Sequence, residues 1–67
     1  MNISFSKLKT LNETGIAVFG TEDAFTNWMD NPAHGLDNKP PVMLLTTDEG
    51  IDTVIEELNR IAHGDLS

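Results

Sequence analysis

The chain has 67 residues, no cysteine, 39% apolar residues, and eleven acidic against four basic side chains, for a formal charge of −7. A chain this short is one domain that buries only about 60% of the surface its unfolded form exposes, with no disulfide framework to compensate. The negative charge repels a phosphate backbone, which argues against direct nucleic-acid binding and for a basic partner surface; no basic-then-apolar leader and no apolar run near ~18 residues make the cytoplasm the expected compartment.

Met1 to Ser4 read as a loosely held start. From Phe5 to Phe19 the apolar residues Phe5, Leu8, Leu11, Ile16, Val18 and Phe19 recur at helical spacing, predicting a helix over about 6–19 with a weak point near Asn12 and a further cost at Gly15 of about 1 kcal/mol relative to alanine. Gly20 is placed to end it. Thr21 can cap a second helix over about 22–30, with Glu22 and Asp23 in its first turn and Ala24, Phe25, Trp28 and Met29 as its apolar edge.

The stretch 31–40 loses the periodicity at Pro32, Gly35 and the Asp37-Asn38 pair, whose members both tolerate left-handed backbone angles, so it reads as a loop with Leu36 as the plug that pins it. Pro41 suits the first position of a short helix to Leu45, with Val42, Leu44 and Leu45 turned inward. The firmest element is a helix over about 47–63. Ile51, Val54, Ile55, Leu58, Ile61 and Ala62 line one side, and Asp52, Glu56, Glu57, Asn59, Arg60 and His63 the other. Thr46 or Thr47 can supply its N-cap, Glu49 stands three residues after Thr46 as in a capping box, Glu56 and Arg60 form a helical pair, and Gly64 sits where a C′ glycine closes a helix. The fold class is all-α, a small bundle of about four helices.

In order, Val18-Phe19-Gly20, Trp28, Pro32, Leu36, the run P-x-x-L-L-x-T-x-x-G from Pro41 to Gly50, Val54, Leu58, Arg60-Ile61 and His63-Gly64 form one colinear pattern from about Ile16 onward. This pattern resembles the Xre/MbcA/ParS-like toxin-binding domain, the C-terminal half of antitoxins that neutralise RES-domain toxins. The resemblance implies an all-α bundle, a proteinaceous inhibitor without a cofactor, and a partner toxin that consumes or transfers from NAD. It further implies that the segment before Pro41 and the tail after Gly64 face the toxin, the C-terminal region blocking its nucleotide pocket. Members often carry two glycines and a basic residue where this chain has Asp37, Asn38 and Lys39. They usually also carry a helix-turn-helix domain, for which 67 residues leave no room, so the expectation is a single toxin-binding domain over 1–67 that does not itself bind DNA.

The site residues that follow are Asp37, Asn38, Lys39, Arg60, His63, Gly64, Asp65, Leu66 and Ser67. In the tail, Leu66 would bury in the partner while Asp65 and the terminal carboxylate meet arginines that otherwise hold substrate phosphates; the plain alternative is a frayed terminus. Asp48, Asp52 and Glu56 form a carboxylate stripe, which reads as a solvated face because one helix offers a hard cation too few oxygens. His34 and His63 have no companion ligands at zinc spacing, and Trp28 with Phe19 and Phe25 reads as the aromatic part of the core. Ser4, Ser6 and Ser67 stand in no recognisable catalytic arrangement, so no enzymatic activity is expected. Two rivals stand beside the antitoxin reading. One is a homodimerising assembly module with no toxin partner; the other, ranked below it, is an acidic DNA mimic.

Overall fold

A computed structural model of the protein describes residues 4–64. Three α-helices, α1 (Phe5–Phe19), α2 (Glu22–Asp30) and α3 (Asp48–Gly64), carry the fold, with 3-10 helices at His34–Leu36 and Pro41–Leu44 between α2 and α3. No strand occurs among the described residues beyond an isolated bridge between Ala33 and Lys39. The class is all-α as expected, with three α-helices where four were expected.

Local chemistry accounts for the helix ends. The Lys7 and Ala24 amides donate to the side-chain oxygens of Ser4 and Thr21, the N-caps of α1 and α2. Gly20 ends α1 at φ 89°, a left-handed angle that glycine adopts without penalty. At α3 the cap is Thr47, whose Oγ1 accepts from the Gly50 amide at 2.9 Å. The third residue after this cap is therefore Gly50, so Glu49 does not complete the capping box that a cap at Thr46 would have allowed. Gly64 lies within α3 as its last residue, two positions earlier than a C′ cap.

Two other expectations are corrected. Ser4 is not a loose start, because it caps α1 and its own amide donates to Asp48 Oδ1 at 2.9 Å. The 41–45 segment is a 3-10 turn: Pro40 and Pro41 have no N–H to give, the Met43 amide donates to the Pro40 carbonyl at 2.9 Å, and Thr47 already starts the next helix. Four residues in that frame cannot build an α-helical ladder. Pro41 is the residue it buries, Leu44 and Leu45 are half-buried, and Val42 faces out.

The core is drawn from every element. Leu11 comes from α1, Phe25 and Met29 from α2, Ala33 and Leu36 from the 33–39 turn, and Ile51, Val54 and Leu58 from α3. The three α3 side chains are completely buried, each worth about 1.5–3 kcal/mol of transfer free energy, which makes α3 the floor on which α1 is laid. Phe19, Phe25 and Trp28 form a mutual cluster with ring centroids 5.5 to 6.5 Å apart. α1 runs unbroken through Asn12 and Gly15. A Cβ on Gly15 would clash with the edge of the Phe25 ring, so this glycine is what lets α2 close on α1. Phe5, placed in the α1 stripe by spacing, is 86% exposed, and Ile16 and Ala62 also face solvent.

Candidate functional site

The 33–39 segment closes on itself. The Ala33 amide donates to the Lys39 carbonyl at 3.1 Å, and the Leu36 and Asn38 amides both donate to the Ala33 carbonyl at 3.0 Å. The Lys39 amide donates to the Leu36 carbonyl at 3.1 Å. Asp37 (φ 59°) and Asn38 (φ 62°) both take left-handed angles to make the reversal, and Leu36 is buried beneath them as the plug. This disposition of backbone bonds leaves Asp37, Asn38 and Lys39 exposed at the tip.

The turn rests on the second half of α3 at one pair of side chains. Arg60 donates from Nε and Nη2 to Glu57 Oε1 at 3.0 and 2.8 Å and from Nη2 to Glu57 Oε2 at 2.8 Å. Gly35 backs directly onto this pair, since a Cβ there would meet both the Glu57 carboxylate and the Arg60 guanidinium. The Glu57 side chain is 9% exposed and that of Arg60 66%. Arg60 therefore pairs with Glu57 and not with Glu56, and Glu57 lies in the core rather than on the polar side.

Of the nine residues expected to form the site, Asp37, Asn38 and Lys39 lie exposed on the turn whose Gly35 packs against Arg60. His63, exposed, and Gly64 follow in the last turn of α3. Asp65, Leu66 and Ser67 lie outside the described residues.

Glu57 is the residue that sequence reasoning assigned to the wrong face. On a helical wheel it falls at the edge of the apolar stripe, about 40° from Ile61 and about 60° from Val54, so spacing alone leaves its side open, and its partner three residues on was the available signal.

The carboxylate stripe is used inside the fold. Asp48 accepts the Ser4 amide and Asp52 takes the Lys7 ammonium at 2.8 Å, so two of its three members bind the start of α1 to α3. The hydrogen bond to Asp52 raises the Lys7 pKa above the ordinary lysine value; desolvation, the next largest influence, opposes it, and the charges of Asp52, Asp48 and Glu49 add to the rise. Among the described residues there is no group of three or more side chains able to hold a metal ion, and they enclose no pocket. The surface offers contact by protrusion, through the turn and the end of α3.

Residues 14–64 match the family model of the antitoxin Xre/MbcA/ParS C-terminal toxin-binding domain. No curated protein and no solved structure matches the chain. The matched stretch takes in the second part of α1, all of α2, the 33–39 turn with Gly35, and α3 to its last residue, so both halves of the surface just described fall within it. The chain belongs to the antitoxin Xre/MbcA/ParS C-terminal toxin-binding domain family.

Proposed function

We propose that this chain neutralises a RES-domain, NAD-consuming toxin in the cytoplasm by binding it and covering its nucleotide pocket, with no chemistry of its own. Membership of a toxin-binding antitoxin family supports the neutralising role, and the observation that carries the finer reading is the packing of Gly35, in the turn that exposes 37–39, against Arg60 in the second half of α3. In this reading the tip, Arg60 and His63 seat the chain on the toxin. Asp65, Leu66 and Ser67, continuing from Gly64, then enter the site where substrate phosphates would bind. An acidic chain of net charge −7 complements a pocket built to hold an anionic dinucleotide. No described helix is long and apolar enough to cross a membrane.

The test is NAD consumption by a cognate RES toxin titrated with the full chain and with a version ending at Gly64. Loss of turnover at near-equimolar full chain, with the shortened chain inactive, supports occlusion by the tail. Undiminished turnover with both refutes it. A second reading, self-association, is favoured by the exposure of Phe5 (86%), Met43 (62%) and Val42 (44%). A molar mass that doubles with concentration and falls when Phe5 and Met43 are replaced by serine would support that reading.

A further inference from the structure

We infer that Glu57 is a positioning residue, which locks Arg60 and the 33–39 turn into one recognition unit formed before the partner arrives, with Arg60 Nη1 left to bind an oxygen acceptor on the toxin. The partner's identity rests on the reading above; the lock does not.

Three observations carry this. Glu57 holds the Nε and Nη2 side of the guanidinium through three contacts, so the side chain of Arg60 is fixed in orientation although two-thirds of it is exposed. Both donors on Nη1 remain without a partner among the described residues. Gly35 presses on the pair from the other side, so the turn cannot shift without displacing Arg60, and Arg60 cannot rotate without leaving Glu57 buried and unpaired. An exposed arginine normally gives up much side-chain freedom when it binds; one already held by a buried carboxylate does not, and the same holds for a turn already closed by its own hydrogen bonds. Because Glu57 offsets the Arg60 charge, the acceptor that suits Nη1 is a neutral one, a peptide carbonyl on the toxin surface.

A double-mutant cycle on the full chain with Glu57→Gln and Arg60→Lys tests the inference. Arg60→Lys keeps a cation against Glu57 and so keeps the fold, but it removes the forked donors. Binding to the RES toxin is measured together with the melting temperature and with hydrogen exchange of the Leu36, Asn38 and Lys39 amides. The expected result is that each single change weakens binding by about tenfold, the loss of one charge-assisted hydrogen bond. The double variant should be no weaker than the worse single one, and exchange of the turn should quicken in Glu57→Gln. Melting temperatures that fall while affinity stays unchanged would make the pair purely structural and overturn the inference. If the wild-type chain does not bind the toxin, the proposed function falls by itself, and the exchange measurement decides the lock: faster exchange in Glu57→Gln supports it, and unchanged exchange overturns it.

Discussion

Replacing Gly50 by alanine is expected to destabilise the protein strongly, against the usual direction for a glycine in a helix. Helix propensity alone favours alanine by up to about 1 kcal/mol. At this position, however, the added Cβ would fall on the backbone carbonyl oxygen of Leu44, and Thr47 Oγ1 stands 3.2 Å away on the same side. A backbone oxygen cannot rotate out of the way, so the 41–44 turn must retreat as a unit and draw Pro41, Leu44 and Leu45 partly off the core. Uncovering the buried half of these two half-buried leucines costs about 1.5–3 kcal/mol, and residual overpacking adds about 1–3 kcal/mol. After the propensity gain, the net loss is about 1.5–5 kcal/mol. A domain of this length holds roughly 3–10 kcal/mol in all, so the melting temperature should fall by about 10 °C or more. Urea and thermal unfolding followed by Trp28 fluorescence would measure it. Gly64→Ala is the control, because a Cβ there meets nothing within 4 Å and should leave stability equal or slightly higher. A Gly50→Ala protein as stable as the wild type would refute the argument that the Thr-x-x-Gly start of α3 exists for this close approach.

Gly15→Ala should likewise cost stability, about 1–3 kcal/mol, because the Phe25 ring must move and its stacking against Phe19 and Trp28 loosens; Phe25→Leu in the same chain should recover part of the loss in denaturant titration. Leu36→Ala should cost about 2–5 kcal/mol and quicken hydrogen exchange across 33–39, since it removes the plug under the turn. The Lys7–Asp52 pair has a defined pH window. Its raised lysine pKa means that the contribution is present at neutral pH and is lost as pH climbs through the folded-state value, so Asp52→Asn should lower the Lys7 titration midpoint seen by NMR. A midpoint that does not move would remove the pair from the α1–α3 seam.

Much of the fold was legible because its signals are local. A helix cap depends on residues three or four apart, and Gly20, Thr21 and an α3 start at Thr46 or Thr47 could be read from short windows of sequence. The left-handed pair at Asp37 and Asn38 and the apolar Leu36 beside it announced a loop with a plug for the same reason. The stripe of Ile51, Val54 and Leu58 announced the core face of α3. In the candidate site, the exposed tip and Arg60 were each visible, and the family pattern from Ile16 to Gly64 linked them in order.

What the sequence by itself determined, then, is every feature that a residue decides with its near neighbours: the ends of the helices, the apolar faces and the reversal at 37–38. Only the tertiary structure decided what lies opposite each position. Gly15 reads alone as a weak point and becomes the seat of Phe25; Gly35 reads as loop and becomes the surface against which Arg60 is held. Glu57 reads as one more solvated carboxylate and is buried. Steric fit and desolvation act between atoms brought together by the whole chain, and neither is encoded in the spacing of the residues that experience them.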